Sequence, residues 1–146
     1  MERGGRCMGE TVAHCAAALL DMGPRPPDIR CRPIVSTMQL SRTEFERLRP
    51  VLERLVARLG PEEIWLFGSR ARGCARPGSD WDLLVVLPDA ATDDELDLMV
   101  AWQSVRDLRI PADVVPVRRS DFEEARNLPG TLVRTVVGEG RRIYAC

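Results

Sequence analysis

The chain has 146 residues, of which 45% are apolar and 29% charged, as is ordinary for one small globular domain. A formal net charge of −1 argues against a general nucleic-acid-binding surface. The apolar stretch at residues 12–20 is interrupted by His14 and is far shorter than the roughly 20 residues of a membrane span.

The first 38 residues show no pattern that points to a function. Prolines recur between residues 24 and 33, and no amphipathic helix is indicated. We therefore expect a disordered extension over residues 1–38 and one folded domain over residues 40–146. The five cysteines have no paired spacing, which predicts neither a zinc site nor a disulfide framework and favours a reducing, cytoplasmic compartment.

The folded domain is predicted to begin with a capped helix. Ser41 and Glu44 have the spacing of a capping box, and apolar residues recur behind them at helical spacing up to Leu59. The dipeptide Gly60-Pro61 should end this helix. Pro50 lies inside the pattern, so we expect the helix to be kinked there or divided in two.

A short apolar run, residues 64–67, predicts a buried strand that ends at Gly68 and Ser69. Glycine allows the backbone to approach a phosphate closely, and the Ser69 hydroxyl can donate a hydrogen bond. Arg70 and Arg72 follow in the same loop, and their planar donors suit phosphate oxygens. On its own, a glycine-serine pair with exposed arginines describes an ordinary turn equally well.

Ten residues later, Asp80 and Asp82 enter a second apolar run, residues 83–87. Side chains two apart on a strand share a face, with Cα atoms roughly 6 to 7 Å apart, so these carboxylates can converge on one site. Such a pair can bridge the two divalent ions of phosphoryl-transfer chemistry. The aspartates of an isolated D-x-D are more often solvated residues at the start of a strand. Here the position of the motif after the glycine-serine turn favours the metal-binding interpretation.

Downstream, Thr92 and Glu95 form a second capping box and predict a helix whose buried stripe includes Leu98, Met99, Trp102, Val105 and Leu108. A β-branched run, residues 110–117, predicts a strand. Pro116 cannot donate to a ladder, so this strand should lie at an edge or be bulged. Two short helices, residues 120–127 and 131–137, and a terminal strand, residues 141–145, complete the domain.

The motifs LFGSRARG, GSDWDLLVV, ADVVPV and GEGRRIYA resemble, in that order, the polymerase-beta-like nucleotidyltransferase superfamily, and in particular its minimal nucleotidyltransferases. The resemblance covers about residues 40–146. It implies the nucleotidyltransferase fold, an α/β (α+β) domain with a small mixed sheet and helices packed on one face.

The resemblance also implies site residues. Asp80 and Asp82 would bind two Mg²⁺ ions, or Mn²⁺, and Asp113 would be a third ligand or the base. Without the family pattern, Asp113 reads as a solvated residue at the start of a strand. Gly68 and Ser69 would bind the phosphates of ATP, with Arg70 or Arg72 offsetting their charge. The candidate site residues are therefore Gly68, Ser69, Arg70, Arg72, Asp80, Asp82 and Asp113.

Minimal nucleotidyltransferases are often antitoxins that add AMP to a tyrosine of a HEPN-type ribonuclease toxin, and the resemblance makes this the leading function. A small-molecule nucleotidyltransferase of the aminoglycoside-modifying type is a second interpretation. A third is a binding module that neutralises its partner without catalysis. The acceptor, the nucleotide base and the oligomeric state stay open, and an oligomer is compatible with the sequence.

Overall fold

A computed structural model describes residues 40–146, so the extension expected at residues 1–38 lies outside the described residues. The elements, in chain order, are α1 Arg42–Leu59, β1 Glu63–Phe67, α2 Gly68–Ala71, β2 Trp81–Leu87, α3 Leu98–Gln103, a 3-10 turn Arg106–Leu108, β3 Ala112–Arg118, α4 Arg119–Ala125, α5 Leu132–Glu139 and β4 Arg141–Ala145. Within these residues no helix is long and apolar enough to cross a membrane.

The four strands form one mixed sheet in the order β3-β2-β1-β4. β1 pairs antiparallel with both β2 and β4, whereas β2 and β3 are parallel. The α/β class and the mixed sheet are therefore as predicted. β3 is an edge strand, which explains how Pro116 is accommodated without a ladder donor.

Helices cover both faces of this sheet, whereas the sequence led us to expect them on one. β2 is apolar on both sides, and its buried residues alternate between two clusters. Leu83, Val85 and Leu87 pack in the cluster that includes α1 and α3. Leu84 and Val86 pack with Phe122 of α4 and with α5. Two apolar faces each need a cover, because exposing either would forfeit burial of several large side chains.

The helix predicted from Ser41 is present and carries its complete capping box. The Glu44 amide donates to the Ser41 hydroxyl at 3.3 Å, and the Ser41 amide donates to the Glu44 carboxylate at 3.1 Å. Gly60 ends the helix in the left-handed conformation. The expected division at Pro50 does not occur, since α1 is one continuous helix with this proline on its exposed side.

The second capping box also forms, but it does not start a helix. Residues 93–96 make turns, and α3 begins after Asp97, which accepts from the Met99 amide at 2.6 Å. The predicted buried stripe is wrong for Leu98, Met99 and Trp102, which are 58%, 59% and 41% exposed. Val105 is buried as predicted, and Ala101, which the stripe did not include, is buried as well.

The sequence predicts neither a zinc site nor a disulfide framework for the cysteines. Cys74, one of the described residues, is a free, exposed thiol.

Glu63 of β1 is the most enclosed carboxylate of the ion pairs in the described residues, with a side chain 12% exposed. It accepts from Arg119 at 2.9 Å and from the Trp65 indole at 2.8 Å. Burial tends to raise its pKa, but these hydrogen bonds together with the charges of Arg119 and Arg142 outweigh burial and lower it. The ion pairs of Glu63 therefore connect β1 to α4 through Arg119 and to β4 through Arg142.

We expect Glu63→Gln to lower the free energy of unfolding by about 1 to 2 kcal/mol at pH 7, because a charged acceptor is lost among partly buried donors. A lowered pKa in the folded state means that this stabilisation is complete above the ordinary pKa of 4.5 and disappears as the pH falls through the folded value. Urea unfolding of both proteins between pH 7 and pH 3 measures the difference.

Glu62→Gln is the matched control, because Glu62 lies 3.8 Å from Arg119 but is 42% exposed. Its loss should cost less than about 1 kcal/mol. Equal effects of the two substitutions, or a Glu63→Gln deficit that persists unchanged in acid, would contradict this account.

Candidate active site

The three candidate carboxylates lie at one end of the sheet. Because β1 and β2 are antiparallel, the carboxyl end of β1 lies beside the amino end of β2. Asp82 is in register with Phe67 on one side and with Asp113 on the other. Asp80 precedes β2 by one residue and lines the same cavity as Asp113. The fold therefore brings together three residues that are separated by up to 33 positions in the sequence.

Asp82 is the half-buried member of this group, whereas Asp80 and Asp113 are exposed. Burial raises the pKa of Asp82, and the negative charges of Asp113 and Asp80 raise it further. Arg72 and Arg70 act in the opposite direction without cancelling the effect. The sheet end thus concentrates negative charge where water is partly excluded, and a bound cation would relieve that repulsion.

These oxygen donors fit Mg²⁺ or Mn²⁺ in their chemistry. Within residues 40–146, however, no three His, Cys, Asp or Glu side chains converge into a complete metal-binding group. The two observations agree if substrate completes the site, because Mg²⁺ is commonly held by one or two carboxylates together with substrate phosphates and water. The residues that would hold such an ion are Asp82 and its neighbours Asp80 and Asp113.

Gly68 follows β1 directly and contacts Asp82. Its φ of +72° lies in the left-handed region, which glycine adopts without strain. A Cβ at this position would overlap the Asp82 carboxylate oxygen and lie 2.9 Å from its Cγ. The position therefore requires glycine for two independent reasons, conformation and space.

Ser69 lies in α2, a single helical turn where the sequence predicted an irregular loop. Among the described residues its hydroxyl has no hydrogen-bond partner, so it is available to a ligand. Its backbone carbonyl accepts from the Cys74 amide at 2.9 Å, which fixes the turn.

The two candidate arginines differ in their surroundings. Arg70 donates to the Ser79 carbonyl at 3.1 and 2.5 Å, and its guanidinium lies 4.0 Å from the centre of the Trp81 ring. These contacts hold the loop before Asp80 against β2. Arg72 is exposed and makes one contact of 3.5 Å with Glu139. Of the two, Arg72 is the guanidinium free to turn toward a phosphate.

Sequence reasoning missed a cavity beside the carboxylates. It has a volume of about 420 Å³ and is lined by Asp80, Trp102, Arg106, Arg109, Ile110, Pro111, Ala112 and Asp113. Trp102 was predicted to lie in the core, and nothing in the spacing of Arg106 and Arg109 indicated a shared site. The only cue was their closeness along the chain to Asp113.

Comparison with known proteins identifies the domain. Residues 46–142 match the family model described as a nucleotidyltransferase domain. No curated protein matches the chain.

Two solved structures have a similar fold. One is a toxin–antitoxin complex crystallised with AMP-PNP, in which the match is 23% identical, covers 67% of this chain and 73% of that chain, and has a TM-score of 0.49. The other is a tri-AMPylated HEPN toxin in complex with an MNT antitoxin from Shewanella oneidensis, with 19% identity, coverage of 69% and 71%, and a TM-score of 0.46. Both likenesses are distant, and the assignment rests on the domain match, which spans about two thirds of the sequence: the chain belongs to the nucleotidyltransferase domain family.

Proposed function

We propose that this protein is a metal-dependent adenylyltransferase that moves AMP from ATP to a tyrosine hydroxyl of a HEPN-type toxin, and so acts as an antitoxin. The observation that carries the catalytic part is the position of Asp82, which contacts Gly68 on one side and is in register with Asp113 on the other. The turn proposed to bind phosphate and a group of carboxylates thus share one sheet end.

In the proposed reaction the phenol oxygen forms a bond to the α-phosphorus of ATP, and the bond between that phosphorus and the bridging oxygen to the β-phosphate breaks. Pyrophosphate leaves with that oxygen, and the phenol proton is released to a carboxylate or to water. Divalent metal, when bound, neutralises phosphate charge and polarises the reacting phosphate.

The residues of this chain have distinct roles in that reaction. Gly68 and Ser69 bind the β- and γ-phosphates through the backbone and the free hydroxyl. Asp80 and Asp82 hold the metal, and Asp113 is a third ligand or takes the proton. Arg72 offsets phosphate charge, while Arg70 keeps the loop in place. Fixed charges positioned before the reaction supply most of the rate gain in chemistry of this type.

The choice of acceptor is supported by the sequence resemblance to minimal nucleotidyltransferases. The described domain has 107 residues, from 40 to 146, and includes no second domain that could enclose a small acceptor. A protein acceptor can supply its own binding surface, which favours it over an aminoglycoside-sized substrate.

The nucleotide site predicts metal-dependent binding of ATP. Calorimetric titration should detect binding with Mg²⁺ and at least about tenfold weaker binding in EDTA, since the carboxylates then repel the phosphates. Asp80→Ala and Asp82→Ala should each weaken the metal-dependent part, whereas Asp94→Ala, which removes an exposed acid in a distant turn, should not. Equal affinity with and without metal would refute the two-metal site.

The transfer itself is tested with the full chain, ATP, Mg²⁺ and a HEPN-type toxin encoded beside it. Intact mass spectrometry of the toxin should show added adenylyl groups, and peptide mapping should place them on tyrosine. Neutralisation of the toxin with no change in its mass would instead support a non-catalytic binding module. Transfer to an aminoglycoside but not to the toxin would support the small-molecule interpretation.

A further inference from the structure

The cavity beside Asp80 and Asp113 is large enough for a substrate group. Its volume of about 420 Å³ lies within the range of roughly 300 to 1,000 Å³ typical of ligand sites. One wall is formed by these two acids, and another by Trp102 at the end of α3 with Arg106 and Arg109 from the following turn. It combines an aromatic surface, cationic groups and candidate catalytic carboxylates.

The position of the cavity relative to the phosphate-binding turn points to the acceptor. In the sheet order β3-β2-β1-β4, Gly68 and Ser69 follow β1, Asp82 lies on β2, and the segment that lines the cavity leads into β3. The carboxylates therefore lie between the Gly68-Ser69 turn and the cavity. Since the attacking and leaving oxygens of a phosphoryl transfer are roughly in line, an acceptor should approach from the side away from the departing phosphates.

The two arginines of the cavity lining favour an acceptor that has negatively charged groups beside the reacting hydroxyl. Within residues 40–146 neither Arg106 nor Arg109 forms an ion pair, although the guanidinium of Arg106 lies 5.2 Å from the centre of the Trp102 ring. Arg109 is the one described non-glycine residue with a positive φ, at +55°. This left-handed residue ends the 3-10 turn and lies at the cavity edge.

The surface of α3 favours a protein over a small molecule. Six large apolar side chains of the described residues are strongly exposed, and four of them belong to this short helix: Leu98, Met99, Val100 and Trp102. Trp102 lines the cavity, and the other three belong to the same helix. A cluster of exposed apolar residues of this kind is typical of an interaction surface. A small acceptor would leave these side chains in water.

We propose that this cavity binds the acceptor tyrosine of a protein segment that carries carboxylates beside that tyrosine, with the ring against Trp102 and the carboxylates on Arg106 and Arg109. The inference rests on the proposed adenylyl transfer and specifies its acceptor. Chemical complementarity supplies the argument: unpaired guanidinium groups favour carboxylates, and the Trp102 face favours an aromatic ring.

The test uses the full chain and two short peptides, each with one central tyrosine flanked either by glutamates or by glutamines. Calorimetry should show the acidic peptide binding about tenfold more tightly than the neutral one, as expected for charge-assisted hydrogen bonds. In Arg109→Asn this advantage should become clearly smaller, because asparagine tolerates a positive φ but lacks the charge, and only Arg106 remains to bind a carboxylate. ATP affinity should stay within about twofold.

Arg58→Gln is the control for losing an exposed arginine, because Arg58 lies on α1 outside the cavity lining. It should keep the preference for the acidic peptide. Equal binding of both peptides to the unaltered protein, or an acidic preference that is undiminished in Arg109→Asn, would overturn the proposal. So would a large loss of ATP affinity in Arg109→Asn, which would assign the cavity to the nucleotide.

A transfer assay with the same peptides separates this inference from the proposed function. Charge-dependent binding accompanied by adenylylation of the acidic peptide supports both. Charge-dependent binding without any transfer supports the cavity assignment and counts against the transferase.

Discussion

Asp82→Asn is expected to reduce adenylyl transfer by at least about a thousandfold, equivalent to ~4 kcal/mol of activation free energy. Asparagine has nearly the same shape but lacks the charge that would hold a divalent ion between the Gly68-Ser69 turn and Asp113. Removal of a single preorganised electrostatic group commonly costs a hundredfold to a thousandfold. Mass spectrometry of the toxin partner after timed incubation with ATP and Mg²⁺ gives the rate.

The same substitution should raise the melting temperature of the metal-free protein. Burial and the charges of Asp113 and Asp80 raise the pKa of Asp82, which means that its ionised form is disfavoured in the folded state. A neutral side chain removes that penalty. Asp94→Asn, an exposed acid in a turn, should change neither rate nor melting. A rate within tenfold of the unaltered protein would refute the metal-binding role of Asp82.

Gly68→Ala is expected to have the second-largest effect. The added methyl group would overlap the Asp82 carboxylate, and the residue would also be held at a φ of +72°. The clash can be relieved only by moving Asp82 or the turn, so we expect both a loss of stability above about 2 kcal/mol and a loss of activity above about a hundredfold. Thermal melting and the toxin adenylylation assay measure the two effects.

Gly73→Ala separates the two causes, because Gly73 has the same φ of +72° but nothing within 4 Å of its Cβ position. It should show only the conformational cost, about 1 kcal/mol, and keep most activity. If both substitutions gave the same small loss, contact between Gly68 and Asp82 would have no functional importance.

The sequence predicts well what is decided locally. The capping box at Ser41, the left-handed Gly60 and the strand after it depend on residues a few positions apart, and all are present. The order of the motifs places the carboxylates on strands, and parallel pairing of β2 with β3 then makes Asp82 and Asp113 neighbours.

What the sequence could not supply depends on longer-range packing. Thr92 and Asp97 are both good helix caps, and both accept amide hydrogen bonds in the structure, so local signals do not decide where α3 begins. The face that α3 buries follows from its contact with β3, which placed Ala101 inside and Trp102 outside. The cavity was missed because it exists only once that face is known.

The close contact between Gly68 and Asp82 has a consequence for how such a domain can diverge. In the proposed reaction, the distance between the triphosphate and the metal ions is set by the spacing of two hydrogen-bonded strands, about 4.8 Å, rather than by flexible side chains. That spacing hardly varies among sheets. The acceptor wall, by contrast, is built from α3 and the turn before an edge strand. Substitutions there could exchange one acceptor for another while the nucleotide geometry stays constant.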